Sequence, residues 1–395
     1  MNTEKIKHKT ESGKNNENFN LFKNRFKTKK QQKEGITVMF WNIAGLTNKD
    51  QDFWSYIVNF DVIFLLETWL EDNKWKKIKA SLPTDFNWEN KATATKDKNK
   101  GRAKGGILLG VKKALRVINI KKSESSDLVT LTINSNNEVW KVICIYNRNG
   151  AEQTLLKLDD ETQNPEERIV IGGDFNARIG EEGTFDEELE TREKRRSKDK
   201  IINREGKFLM KLMEQKAWFV LNGNVEGDRN GEFTYMGPKA DTVIDYVITD
   251  INTRTHIEDM TVEERSESDH LPLAVKIKTI LPLVNEKEKE GEKENTIKME
   301  DWTLDGIEHF QNNIKQIIWT EGSVKEEVEE MVIKLNKAIK KKSCRKGRRR
   351  LSQKWWDVEC YRKKKAFRKS IRQWKRGILT KQELNKEKKR IQKTM

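Results

Sequence analysis

Between residues 36 and 278, short runs of β-branched and aromatic residues recur, and many of them close on a polar side chain. They read ITVMFW (36–41), DVIFLL (61–66), GGILLGV (105–111), DLVTLTI (127–133), EVWKVICIY (138–146), RIVIGG (168–173), WFVLNG (218–223), TVIDYVIT (242–249) and PLAVKIK (272–278). Runs of this length suit strands; the continuous ones suit burial on both faces and the alternating ones antiparallel pairing. A helical pattern at 203–216 (NREGKFLMKLMEQK) intervenes. Strands grouped in pairs between helices favour a mixed-sheet α/β sandwich over a simple βαβ repeat.

IVIGGDFNARIG (169–180) sharpens the question of what such strands deliver. In an extended segment side chains alternate, which would put Asp174 and Asn176 on one face and Phe175 on the other. Gly172 and Gly173 suit a sharp turn or a close backbone approach. An Asx turn that merely closes the strand is the alternative reading, and this segment alone leaves both open.

The other strand ends repeat the pattern. Asn42 follows the first strand in WNIAGL, Glu67 closes the second in LLETWL, and Tyr146 ends ICIY before NRNG. Asp269 and His270 open the last strand in SDHLPLAV. Polar groups where apolar strands meet loops are the usual makings of an α/β site. Asp245 differs, because TVIDYVIT is apolar on both faces, and a buried carboxylate needs a partner. His270 would have its tautomer fixed by such a partner, whereas a structural pair with Arg or Lys is the competing reading.

Charge is placed unevenly. Residues 341–395 hold 23 Lys and Arg against 4 Asp and Glu, which leaves 56 bases and 59 acids of the chain's 79 and 63 in residues 1–340. That asymmetry points to a polyanionic partner, nucleic acid before membrane. Cys144, Cys344 and Cys360 show no metal-type spacing and no even disulfide set, and no run approaches a membrane span or a signal peptide, so the expectation is an intracellular, non-secreted protein in a reducing compartment. Four regions follow: a basic, disordered tail (1–35), the α/β body (36–280), a charged linker (281–300) and a helical, strongly basic C-terminal region (301–395). In the last, Val324, Val328, Met331, Val332, Leu335 and Ile339 keep helical spacing, and Phe367, Ile371, Trp374 and Ile378 form an apolar stripe on a basic helix. Trp355, Trp356 and Trp374 are assigned to packing rather than base stacking.

Taken in order, WN, ET, a strand-end Tyr, GDFN, IDY and SDH resemble the endonuclease/exonuclease/phosphatase superfamily over residues 36–280. The resemblance implies a four-layer α/β sandwich of two mixed β-sheets flanked by helices, here with a basic helical extension. It also implies hydrolysis of phosphodiesters or phosphomonoesters with Mg²⁺, for which Mn²⁺ would substitute. Carried over by residue, Glu67 would be the principal metal ligand, with Asn42 and Asp269 beside it and Asp174 and Asn176 completing the metal site. Asp174 would activate or orient the attacking water, Asn176 would stabilise the transition state, and Tyr146 would contact a phosphate oxygen. His270, supported by Asp245, would bind or protonate phosphate oxygen. Oxygen donors without a thiolate or histidine cluster suit a hard ion.

Within that superfamily, GDFNARIG, WFVLNGN, GEFTY and TVIDYVI look most like the endonuclease domains of LINE-type, non-LTR retrotransposons. WWDVEC (355–360) and the basic helix after it are similar to the segment that joins such domains to a reverse transcriptase. This implies a Mg²⁺-dependent endonuclease that nicks DNA and leaves 3′-hydroxyl ends, nuclear or cytoplasmic, with RNA as a further partner for the basic region. Arg178 and, in the basic loop 91–104, Arg102 and Lys104 are candidate nucleic-acid contacts. A phosphatase acting on inositol or lipid phosphates and an idle nucleic-acid-binding scaffold are the rival readings. Tyr146 is followed by NRNG where the family carries a proline-containing turn.

Overall fold

The structure, a computed structural model, describes residues 34–92, 94–96, 101–122, 128–135, 137–148, 150–164, 167–183, 195–280, 296–300, 304–317, 324–345 and 358–392. The expected N-terminal tail up to residue 33 and the tryptophan pair 355–356 lie outside them, as do residues 281–295 of the expected linker. The chain divides into two compact units. The first comprises 1–44, 60–69 and 89–283, and the second 45–59, 70–88 and 284–395.

Two mixed six-stranded sheets build the body. One contains β1 (Glu34–Asn42), β2 (Val62–Leu66), β3 (Phe86–Ala92), β4 (Ile107–Lys112), β13 (Ile257–Val262) and β14 (Leu273–Ile280), in the order β13-β14-β1-β2-β4-β3. The other contains β5 (Arg116–Lys122), β6 (Leu128–Ser135), β7 (Glu138–Tyr146), β8 (Arg168–Asp174), β9 (Trp218–Val220) and β12 (Asp245–Asp250), in the order β5-β6-β7-β8-β12-β9. A small ribbon pairs β10 (Tyr235–Met236) with β11 (Asp241–Thr242). With flanking helices, this is the expected α/β sandwich.

The sheets approach closely because one contact lacks a side chain. Phe40 of β1 stacks on its register partner Phe64 of β2, ring centroids 5.3 Å apart. A Cβ on Gly172 of β8 would lie 2.5 Å from the Phe40 ring. One at Gly173, whose φ is +134°, would lie 2.1 Å from the Ile145 carbonyl. Both glycines therefore answer to sheet packing, and they set β8 tight against β1 and β7.

Helices α1 (Gln51–Ile57) and α2 (Asp72–Lys79) belong to the second unit, and α3 (Ala151–Glu161) and α4 (Arg204–Lys216) to the first. The side chain of Asn203 caps α4 by accepting from the Gly206 N–H at 2.7 Å, and Leu209, Leu212 and Met213 bury its inner face against the second sheet. Asp159 and Asp160 lie on α3, so LDD (158–160) belongs to a helix, with Leu158 buried beneath it. A single turn, α5 (Ile251–Arg254), follows β12.

The second unit also holds the ribbon β15 (Thr296–Glu300) with β16 (Lys341–Arg345), and α6 (Leu304–Lys315), α7 (Val324–Ala338), α8 (Val358–Lys375) and α9 (Lys381–Gln392). The expected helical spacing of Val324, Val328, Met331, Val332 and Leu335 falls on α7, whereas the stripe expected on the basic helix departs from expectation at its end. Val328, Met331 and Val332 on α7 are exposed. Phe367, Ile371 and Trp374 are buried on α8, but Ile378 is 64% exposed, because α8 ends at Lys375 and Gly377 turns the chain with a φ of +71°. No helix among the described residues is long and apolar enough to cross a membrane.

Candidate active site

Strand direction gathers the polar strand ends at one edge of the first unit. β1 and β2 are parallel, with Asn42 opposite Leu66, so Asn42 and Glu67 leave their strands side by side. β7 and β8 are parallel, with Tyr146 opposite Asp174. β12 and β14 run the other way, so their first residues reach that same edge. Asp245 stands opposite Asp174, and Leu273 opposite Phe40. Trp41 Nε1 donates to the His270 carbonyl at 2.8 Å and ties the segment before β14 to β1.

Asp174 is 2% exposed. Its Oδ2 accepts from Asn42 Nδ2 and its Oδ1 from the Asn176 backbone N–H, both at 3.0 Å. The second bond closes an Asx turn. The expected alternation stops there: β8 ends at Asp174, and Asn176 sits in the left-handed region with a φ of +48°. Its side chain donates to the Asn147 carbonyl at 2.9 Å. The turn that ends the strand also fixes the carboxylate, so the two readings of this segment describe one device.

For Asp245 the partner is the imidazole. His270 Nδ1 lies 3.0 Å from both Asp245 oxygens, and Nε2 lies 3.9 Å from Asp174 Oδ2. Nδ1 therefore carries a proton and donates it to Asp245, leaving Nε2 turned toward Asp174. Beside them, Thr234 Oγ1 accepts from the Asp245 N–H at 3.0 Å, and the Tyr235 ring packs against the imidazole at 4.7 Å between centroids.

Glu67 holds a left-handed φ of +52°, as does Trp69 at +53°. Non-glycine residues take that conformation at a cost on the order of 1–3 kcal/mol where surrounding structure imposes it. Here the N–H groups of Thr68 and Trp69 donate to the carbonyls of Gly106 and Gly105 at 3.3 and 3.0 Å. Glu67 Oε1 accepts from the Tyr146 hydroxyl at 2.6 Å and Oε2 from Trp69 Nε1 at 3.1 Å. Tyr146 thus faces the glutamate. The Arg102 guanidinium stacks 3.7 Å from the centre of the Trp69 ring, and Lys104 is exposed in the same loop. Arg178 instead makes a two-pronged pair with buried Asp199 at 2.6 and 2.7 Å.

Burial is the largest influence on Asp174 and pushes its pKa up; the charge of Asp245 adds to it, while His270 and the bonds from Asn42 and Asn176 pull it back. For His270 burial is again largest and opposes protonation. The carboxylates of Asp245, Asp174 and Asp269 together outweigh it, and the imidazole pKa rises. Burial, then the bond to Glu67, push the Tyr146 phenol upward, so it stays a donor.

Glu67, Asp174, Asp245 and Asp269 place four carboxylates around this edge, and His270 is the only basic side chain among the described ion pairs of the four. Ligand-type atoms of Asp174, Asp245 and His270 lie within 4.8 Å of one another. This surplus of hard oxygen donors fits a divalent cation. The residues to which sequence reading gave no role are Trp69, Tyr235 and Thr234; Tyr235 and Thr234 meet His270 and Asp245 only through folding, whereas Trp69 reaches Glu67 two residues away through a left-handed backbone that no periodicity signals.

The sequence model of the Endonuclease/Exonuclease/phosphatase family matches residues 39–270. No curated protein matches the chain. Among solved structures, it is similar to the 3′ phosphatase NExo from Neisseria bound to product DNA hairpin, at 16% identity and a TM-score of 0.45 over 61% of this chain and 99% of that one. It is similar to the endonuclease domain of TRAS1, a telomere-specific non-LTR retrotransposon, at 15% identity and a TM-score of 0.45 over 63% and 100%. The APE2 catalytic domain of Xenopus laevis is similar at 13% identity and a TM-score of 0.47 over 63% and 94%.

Proposed function

The chain belongs to the Endonuclease/Exonuclease/phosphatase family, and from that membership and the geometry of its site we propose that it is a Mg²⁺-dependent endonuclease that nicks DNA and leaves 3′-hydroxyl ends. The observation that carries the reading is one imidazole held by Asp245 at 3.0 Å and opposed to a second buried carboxylate, Asp174, 3.9 Å away.

Hydrolysis adds water across the P–O3′ bond, with hydroxide to phosphorus and a proton to the departing oxygen. Asp174, fixed on both oxygens and with its pKa raised, is suited to take the proton of the attacking water. His270, kept charged by its carboxylates, donates from Nε2 to a non-bridging phosphate oxygen as negative charge builds. Glu67, with Asp269 and Asn42, would hold the cation, and Tyr146 and Trp69 orient Glu67. The cation, when bound, supplies Lewis-acid neutralisation of the pentacoordinate charge. The LINE-like motifs GDFNARIG and TVIDYVI support DNA as the substrate and a retroelement origin.

The test is nicking of supercoiled plasmid in Mg²⁺ or in EDTA, comparing wild type with Asp174→Ala and His270→Ala. Metal-dependent open circles, reduced on the order of 10²-fold or more in each variant, support the reading. The nicked ends should be extended by a DNA polymerase without prior phosphatase treatment. A folded wild type that leaves plasmid intact but releases phosphate from an inositol phosphate would replace it with the phosphatase reading.

A further inference from the structure

Helix α8 sorts its cations into two populations. Lys364, 8% exposed, pairs with buried Asp50, the residue that caps α1 by accepting from the Phe53 N–H at 3.0 Å. Arg368 pairs with Asp52 on the same helix. These contacts lie on the face that also buries Cys360, Phe367, Ile371 and Trp374. Two of the helix's bases therefore serve packing within the second unit and are unavailable to a ligand.

Arg362, Lys365, Lys369, Arg372 and Arg376 are all exposed, and they recur at intervals of three and four residues, the first four on α8 and the last just beyond it. That spacing draws one line along the outer side, about 21 Å long at ~1.5 Å of rise per residue. Glu359, the one acid on α8, is spent on Lys363 at 2.5 Å. We propose that this line is a nucleic-acid contact separate from the hydrolytic site, which grips the phosphate backbone of a duplex by charge alone.

What the surface lacks decides among polyanions. A helix that binds a membrane surface sinks its apolar face into the lipid, but Phe367, Ile371 and Trp374 are 5%, 0% and 9% exposed. The exposed apolar residues nearby, Val358 and Ile378, lie at opposite ends of the segment. Single strands are held by bases stacked on aromatic rings. Trp374 is buried with Lys381 over its ring, and only Tyr361 is an exposed aromatic on α8. Among the described residues the row of five cations is accompanied by one exposed ring, Tyr361, and not by a run of rings, which matches a duplex presenting one negative charge per ~1.7 Å of axis.

The experiment is fluorescence anisotropy of a labelled 24-base-pair DNA duplex with the full chain in EDTA, across a salt series, so that cleavage plays no part. The quadruple variant Arg362→Gln/Lys365→Gln/Lys369→Gln/Arg376→Gln should flatten the slope of log K against log salt by about 3–4, at ~0.9 per lost phosphate contact. Its control is Arg116→Gln/Lys121→Gln/Lys122→Gln/Lys278→Gln, which removes as many exposed charges from the first unit and should leave the slope unchanged. If the quadruple variant loses helicity, Lys369→Gln alone should still flatten the slope by about 1. Equal slopes for variant and wild type overturn the proposal, as does equal flattening by the control. Tighter binding to a single strand of the same length, or loss confined to phosphatidylserine vesicles, also overturns it. Because cleavage is absent from the assay, failure of the hydrolytic reading would leave this result standing, and the reverse.

Discussion

Asp245 receives His270 Nδ1 on both of its oxygens at 3.0 Å, and it does so from the strand position directly opposite Asp174. Antiparallel pairing of β8 and β12 therefore brings the two carboxylates to one imidazole. Asp245→Asn keeps the shape but removes the charge that holds the imidazolium. Nicking should fall on the order of 10²-fold or more, while the Mg²⁺ concentration for half-maximal activity stays unchanged. A joint shift of both would move Asp245 from the imidazole to the cation. Steady-state nicking over a Mg²⁺ titration decides.

The part of the metal-free chain's stability that His270 and Asp174 supply should fall as pH rises. His270 has a raised folded pKa, so its contribution is complete below the ordinary value of 6.5 and is lost as pH climbs toward about 10. Asp174 is also raised above its ordinary 3.8, and an acid raised on folding costs stability once the medium would ionise it. Both groups hold more protons folded than unfolded, so both give the same sign. Asp174→Asn should therefore raise the melting temperature at pH 8 in EDTA, with the difference shrinking toward pH 3, while nicking is abolished. A variant that melts lower than wild type at pH 8 would mean that Asp174 is stabilised as a carboxylate.

What the sequence made legible follows from where its signals come from. The buried strands read clearly because β2 and β8 are continuous apolar runs, and the polar groups at their ends stood out against that background. β5 (RVINIKK) was missed because this edge strand exposes most of its side chains and carries no apolar pattern, and β3 (FNWENKA) because only Phe86 and Trp88 of this edge strand are buried apolar anchors among polar neighbours. The mutual placement of Asp174 and Asn176 was read from strand alternation, whereas the chain leaves the strand at Asp174 and an Asx turn takes over. Tyr235 stands in GEFTY, but its contact with the imidazole was not legible there for a different reason. It sits on a two-residue strand and meets His270 only through folding.

Tyr146→Phe removes the 2.6 Å donor that holds Glu67 Oε1 and leaves Trp69 as the side-chain donor to the other oxygen. Residues that orient a metal ligand typically contribute 10–100-fold in affinity. Calorimetric titration with Mn²⁺ should show a loss of about tenfold in that variant, and a larger loss when Trp69→Phe is added. Unchanged Mn²⁺ affinity would place the cation away from Glu67.

Gly172→Ala tests the closeness of the sheets. The added methyl would stand 2.5 Å from the Phe40 ring, which is itself stacked on Phe64 and cannot swing clear. Overpacking of this kind costs ~1–3 kcal/mol, read as a lower urea midpoint. Phe40→Leu makes room on one side, so the double variant should lose less than the two single losses added together.

Lys364→Met probes the second unit. Methionine preserves most of the buried stem but strips the charge from a pair in which Asp50 is 2% exposed. Asp50 would keep its cap bond from Phe53 and lose its cation, leaving a buried carboxylate uncompensated. Breaking one partner of a buried pair costs ~3–5 kcal/mol, so urea should release α8 to proteolysis earlier than in wild type. Asp50→Asn keeps an oxygen for the cap without a charge. Combined with Lys364→Met it should recover most of the loss, because what destabilises the single variant is the stranded charge and not the missing contact. If the double variant is as weak as the single, the ion pair itself holds α8 against α1.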